Sequence, residues 1–181
     1  MTQGRLIAVV GPSGVGKDSV MRGIHDVMPD THLVRRVITR APDQGGEDYD
    51  AVSVPEFQDM AANGAFAVHW GAHGLYYGIP QNVRYQLNKG THCLANFSRK
   101  ALLAGADAFP GLIILNITAK PETLAQRLAA RGRETEDEIT ARLAQASKPL
   151  PTGLEVIHLC NDGSLSQTVA RGVAQLQPAS V

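Results

Sequence analysis

Gly11-Pro12-Ser13-Gly14-Val15-Gly16-Lys17-Asp18 decides how the rest of this chain is read. It follows the apolar run Leu6-Ile7-Ala8-Val9-Val10. It precedes a helical pattern in which Val20, Met21, Ile24 and Met28 fall near i, i+4 spacing. Strand, G-x-x-x-x-G-K turn and helix together make a cradle for a polyphosphate. The glycines let the backbone pass close to the anion, where a Cβ would block the curl. Their N–H groups point at phosphate oxygens, and the helix adds the positive end of its dipole. Lys17 reaches the β- and γ-phosphates as a point charge. Gly11, Pro12, Ser13, Gly14, Val15, Gly16, Lys17, Asp18 and Ser19 are therefore the expected binding segment for a nucleoside triphosphate. One position departs from the pattern. The residue after the lysine ordinarily places a hydroxyl on Mg²⁺, and here it is Asp18. Two readings stand. Asp18 binds Mg²⁺ through its carboxylate, directly or through water, with the neighbouring Ser19 as the alternative ligand; or Asp18 only complements the helix N-terminus.

The chain of 181 residues is read as one domain, long enough to bury a real core. Its 17 Lys and Arg balance 17 Asp and Glu, so net charge points to neither nucleic acid nor an anionic membrane. Any electropositive site must be local. Cys93 and Cys160 both sit in apolar runs and are expected as reduced thiols packed like small hydrophobes. The start, Met1 to Arg5, lacks the apolar region of a signal peptide, and no apolar run reaches membrane-spanning length. A cytoplasmic location is expected. The oligomeric state stays open.

Along the chain, Leu33 to Thr39 reads as a strand and Ala41 to Gly46 as a polar loop. Tyr49 to Val52 reads as a short strand. Ser53-Val54-Pro55-Glu56 is a capping box that opens a helix stopped by Asn63-Gly64. Phe66 to Trp70 and Leu75 to Ile79 suggest a hairpin. Pro80 is expected to open a further helix. His92 to Phe97 and Leu112 to Ile117 read as strands, the second buried on both faces. Helices follow from Pro121 and, after a second capping box at Thr135-Glu136-Asp137-Glu138, through Leu143. Val156 to Cys160 is the last strand and Ser164 caps the last helix. Strand–helix alternation at both ends argues an open α/β sheet. The stretch from about 33 to 90 breaks that alternation and is expected as a small substrate-binding lobe inserted in a core of 1–32 and 91–181.

Phosphoryl transfer is mostly positioning and charge neutralisation, so cations beyond the loop are required. Arg127, Arg131 and Arg133 cluster around Gly132, and Arg142 follows on the next helix. These suggest a lid over about 131–146, hinged at Gly132, that closes arginines onto the phosphates and excludes water. A second basic group is Arg35, Arg36 and Arg40, with Tyr49 after the loop. Arg35 and Arg36 alternate on a strand, so at most one of them faces the site. His69 and His73 have no third ligand near them and are not read as a metal site.

Taken together, these pieces resemble guanylate-kinase-type P-loop kinases over nearly the whole length. The resemblance rests on the loop, Thr39-Arg40-x-Pro42 with Tyr49, and His73-Gly74-x-Tyr76-Tyr77-Gly78. Arg127-Leu128-x-x-Arg131-Gly132, Ile139-x-x-Arg142-Leu143 and Asn161-Asp162 complete it. It implies an α/β P-loop kinase core whose parallel sheet is flanked by helices, an inserted substrate-binding lobe and a helical lid. ATP is the implied co-substrate, with Mg²⁺. Lys17, Arg131 and Arg142 match catalytic positions, and Arg40, Tyr49 and Tyr77 match positions that hold the acceptor's phosphate. The departures concern guanine. Asp43 stands where the family carries a second arginine, and Ile79 where a hydroxyl touches the base. Val68-His69-Trp70-Gly71 and Asn96-Phe97-Ser98 stand where carboxylates read it. A guanine edge left unpaired costs about 1–3 kcal/mol per group. The pattern, including Asn96-x-Ser98-Arg99, resembles the branch of the family that phosphorylates the sugar bisphosphate ribose 1,5-bisphosphate. That resemblance implies a small-molecule acceptor with phosphates to hold and no base to read, and it adds Arg99 as a further clamp.

Overall fold

The structure, a computed structural model, describes residues 3–146 and 148–177. Met1 and Thr2, at the start of the segment read for a leader, lie outside them. The chain runs through β1 (Leu6–Val10), α1 (Lys17–Val27), β2 (His32–Leu33), β3 (Arg36–Ile38) and β4 (Tyr49–Ala51). It continues through α2 (Val54–Ala62), β5 (Phe66–Ala72), β6 (Leu75–Pro80), α3 (Asn82–Asn88) and β7 (Cys93–Asn96). After a short 3-10 turn at Arg99–Ala101 come α4 (Leu102–Ala108), β8 (Ile113–Thr118) and α5 (Pro121–Arg131). The chain closes with α6 (Glu136–Ala146), β9 (Glu155–Cys160) and α7 (Leu165–Leu176).

Five strands form a parallel sheet in the order β2-β7-β1-β8-β9. Alternation along β1 explains its unbroken apolar run. Leu6, Ala8 and Val10 enter one core cluster, with Ala95, Phe97 and Ile114. Ile7 and Val9 enter the other, with Ile24, Leu115 and Val173. Both faces are covered, as parallel sheets require. Because β1 lies between β7 and β8, the loop after it opens at the carboxyl end of the sheet, where doubly wound folds bind ligands.

The second sheet, β4-β3-β6-β5, is mixed. The run Leu33 to Thr39, read above as one strand, is divided between the two sheets. His32 and Leu33 pair with Cys93 and Leu94 on the first; Arg36 to Ile38 pair with β4 and β6 on the second. β-propensity is uniform across this run, and only the available partners decide where the chain changes sheets. The hairpin turn is narrower than its glycines suggest. His73 and Gly74 alone make it, with φ of 53° and 74°, as a two-residue turn with both residues left-handed. Pro80 ends β6 and does not open α3, whose N-cap is Gln81. The capping box at Ser53 is formed in both directions, and so is the one at Thr135. Cys93 and Cys160 are free thiols. Cys93 is buried, whereas Cys160 is exposed, a correction to its expected packing; its thiol donates to Asp162.

Ile38, Val68, Tyr77 and Ile79 of the second sheet share one cluster with Leu6, Ala95 and Ile114 of the first. The two sheets therefore lean on one core. Ile79 is completely buried within it. Ile79→Ala is expected to cost about 2–5 kcal/mol. In urea followed by circular dichroism and by Trp70 fluorescence, the two transitions should shift together to lower midpoint; separate transitions would show that the sheets unfold independently.

Candidate active site

The loop after β1 folds as its glycines demand. Gly14 and Gly16 have φ of 84° and 94°, in the left-handed region that favours glycine. A Cβ on Gly11 would stand 2.6 Å from the Ile117 carbonyl oxygen, so β8 also excludes one there. Val15 is the anchor: its side chain is fully buried in the core. Its carbonyl accepts from Asn161 Nδ2 at 2.8 Å and from Arg127 Nη1 at 3.2 Å. Asn161 is held in turn by the Thr168 hydroxyl, at 2.7 Å from its Oδ1. Asp162, next along, accepts from the Cys160 thiol and from the Lys120 amide, and these bonds pull its carboxyl down to about 2. The turn after β9 thus clips the start of α5 and braces the loop from behind.

Arg127 belongs to this brace, since its other prong donates to the Asn161 carbonyl at 2.7 Å. Its place in the arginine cluster of the sequence reading is therefore corrected: it shapes the loop and does not face the phosphates. Arg131 is exposed at the last turn of α5, and its charge acts on Lys17. Gly132, with φ of 62°, ends α5. Arg142 reaches from α6 across to Ser13 in the loop, donating to its hydroxyl at 2.7 Å, and pairs with Glu134 at 3.4 Å. No residue of α6 is buried. A helix held by so few apolar contacts is suited to opening and closing.

Between loop, lid and second sheet lies a cleft of about 590 Å³. It is lined by Lys17, Arg36, Arg40, Arg99, Lys100, Arg142 and Lys148, with Glu138 the one carboxylate among the lining residues. Seven of the 17 Lys and Arg side chains of a chain with no net charge meet here. Trp70, Tyr77 and Phe97 also line it, stacked with Trp70 between the other two at 5.7 and 5.2 Å. Val68 and Ile79 are buried in the core, and Asp43 is exposed in a left-handed turn.

The expected acceptor residues are placed unequally. Arg40 and Tyr77 line the cleft. Arg99 does too, but it donates to the carbonyls of Ala146 and Lys148 and so tethers the end of α6. Tyr49 is not among the lining residues. It lies beneath Arg40, its ring 5.3 Å from the guanidinium, and its hydroxyl is engaged with Ala41 and Gln44 in its own loop. Of the two neighbouring arginines, Arg35 turns outward to Asp50. Arg36 turns inward, buried and gripped by Glu47 at 2.6 and 2.5 Å. The reading that at most one of them faces the site holds, although Arg35 precedes β3 and does not share its strand; Glu47, which decides how Arg36 is held, is eleven residues away in the loop.

Asp18 lines a second, smaller cavity of about 250 Å³ with Asn96, Glu47 and Asp48. Its Oδ1 accepts from Asn96 Nδ2 at 2.9 Å. Ser19 is exposed on α1 and lines neither cavity. Among the described residues no three His, Cys, Asp or Glu side chains converge as a metal cage. One carboxylate beside a phosphate loop fits magnesium, which is commonly held by one or two carboxylates together with phosphates and water.

The guanylate kinase family model matches residues 3–170. The chain belongs to the guanylate kinase family. Within that family it is similar to curated proteins named ribose 1,5-bisphosphate phosphokinase PhnN. The one from Ruegeria sp. (strain TM1040) is 48% identical, over 97% of this chain and 93% of that one. The one from Rhizobium etli (strain CIAT 652) is 46% identical, over 96% and 90%. The guanylate kinase of Anaplasma phagocytophilum shares the fold, with a TM-score of 0.71 at 20% identity, covering 97% of this chain and 85% of that one. No helix among the described residues is long and apolar enough to cross a membrane.

Lys17 opens α1 and turns back to the loop. Its ammonium donates to the Gly11 carbonyl at 2.7 Å, and burial lowers its pKa from 10.5 to about 8. The depression means that the unfolded chain binds this proton more tightly. Folding stability therefore rises with pH from about 8 to about 10.5 and is flat in this term below pH 8. Relative to Lys17→Met, nucleotide-free wild type is expected to gain on the order of 1–3 kcal/mol across that window. Urea midpoints of both proteins at several pH values test this; parallel curves would count against it.

Proposed function

We propose that this chain transfers the γ-phosphoryl group of ATP to ribose 1,5-bisphosphate, giving 5-phosphoribosyl 1-diphosphate and ADP. The observation that carries the reading is the cleft, rich in cations and walled by aromatics where a guanine-binding kinase needs carboxylates. The PhnN relatives, similar over nearly their whole length, support the same acceptor. A sugar bisphosphate asks for two phosphate clamps and no base reader.

The chemistry follows from charge. An oxygen of the acceptor's 1-phosphate attacks the γ-phosphorus in line, and the bond from that phosphorus to the β–γ bridging oxygen breaks, releasing ADP. No general base is needed, because the attacking phosphate oxygen is already anionic. The obstacle is the approach of two polyanions, which fixed cations lower. The loop from Gly11 to Lys17 holds the ATP phosphates. Lys17 neutralises the transferring group from below, and Arg142, carried by the lid onto Ser13, covers it from above. Arg131 adds charge at the hinge. Arg40 and Tyr77 hold the acceptor, and Arg99 links the acceptor cleft to the end of the lid helix. Asp18 is the carboxylate that would hold Mg²⁺, which would screen the phosphates of ATP when bound.

An ADP-release assay with ATP and Mg²⁺ is expected to show turnover with ribose 1,5-bisphosphate and little with GMP; strong turnover of GMP alone would overturn the acceptor. In the same assay Arg142→Ala is expected to lower kcat by about 100- to 1000-fold with a smaller change in the KM for ATP, since its charge is needed most in the transition state. Equal losses in both parameters would place Arg142 in nucleotide binding instead.

A further inference from the structure

Arg36 is the one charged side chain among the buried residues of the described chain, 7% exposed. It sits on β3 with its guanidinium 4.7 Å from the Tyr77 ring and 6.0 Å from the Trp70 ring. Nε and Nη2 donate to the two oxygens of Glu47, a fork-to-fork pair. Nη1 is not hydrogen-bonded to any described residue, and Arg36 borders the large cleft. Glu47 borders the smaller cavity beside Asp18, so the ion pair forms part of the partition between the two spaces.

A buried ion pair of this kind adds little to folding. Desolvating both charges costs several kcal/mol per ion, and well-packed apolar residues often serve stability as well or better. A pair retained at a cleft wall calls for another use. Arg36 lines the same cleft as Lys17, and its charge acts there, opposed by that of Glu47. It is also desolvated and clamped, so its charge and direction are set before any ligand arrives.

We infer that Arg36 is a specificity-determining contact that holds the acceptor's reacting phosphate beside Lys17 through its Nη1 edge, with Glu47 as the residue that positions it. The inference rests on the phosphate-acceptor reading above. It explains how a phosphate nucleophile reaches an already anionic γ-phosphate. A clamped cation borders the same cleft as Lys17, over an aromatic floor of Tyr77 and Trp70. Glu47 grips the Nε and Nη2 edge of the guanidinium and leaves Nη1 for the cleft.

The test compares wild type, Arg36→Met and the double variant Arg36→Met/Glu47→Leu. Each is measured for urea midpoint, for KM and kcat with ribose 1,5-bisphosphate, and for the KM of ATP. Arg36→Met leaves Glu47 buried and unpaired, so it should lose both stability and acceptor kinetics. The double variant should recover the urea midpoint while kcat/KM for the acceptor stays roughly 100-fold down and the KM for ATP moves less than about 3-fold. Should Arg36→Met not fold, the double variant alone decides. Acceptor kinetics within about 3-fold of wild type in the double variant, or equal losses for ATP and acceptor, would overturn the inference by reducing the pair to a prop for its loop. Wild type that fails to turn over ribose 1,5-bisphosphate is a separate result, which overturns the acceptor reading itself and this contact with it.

Discussion

The carbonyl of Val15 is the point from which the site is built. A loop that offers its amides to an anion has few of its own bonds with which to hold its shape. Here the shape is held from the other side. Asn161 and Arg127 both donate to that one carbonyl, while the Val15 side chain is sunk in the core. Asn161 comes from the turn after the last strand and Arg127 from α5. The first loop of the chain therefore takes its form only when residues more than a hundred positions later are in place. The glycines around Val15 answer the same constraint. A side chain at Gly16 would meet the Asn161 amide at 2.9 Å, and one at Gly11 would meet β8.

The second theme is how an electrically neutral chain keeps a crowd of cations in one cleft. Five of them have partners that hold them in place. Lys17 and Arg99 lean on backbone carbonyls, Arg142 on Ser13 and Glu134, Arg40 on the ring of Tyr49, and Arg36 on Glu47. Carbonyls, rings and a carboxylate behind the guanidinium leave positive charge facing inward. Burial depresses the pKa of Lys17, while its charged neighbours act in both directions, Asp18 and Glu47 raising it and Arg36 and Arg131 lowering it.

Much of this was legible before any coordinates. The apolar run of β1, the glycine loop and the helix after it name the phosphate cradle without help, because local sterics alone require that spacing. Both capping boxes are local hydrogen-bond patterns, and both form as read. That Val68-His69-Trp70-Gly71 and Asn96-Phe97-Ser98 carry no carboxylate is visible as plain residue identity. Other features were hidden for physical reasons. Leu33 to Thr39 reads as one strand because propensity does not name a partner, yet it serves two sheets. Arg127 and Arg131 look alike one helical turn apart, but only the first points at Val15. Tyr49 and Tyr77 look equally suited to touch a phosphate, and only the second reaches the cleft.

By itself, then, the sequence determined the fold class and the glycine loop. Each of these depends on which residues are present and how they repeat over a few positions. Only the tertiary structure decided which cations face the cleft and which brace it. It also decided that the sheets share a core, that Asp18 is bonded to Asn96, and that Arg36 is held by Glu47. Those outcomes turn on pairings between distant segments. The free energy of such a pairing depends on burial and geometry that no local pattern carries.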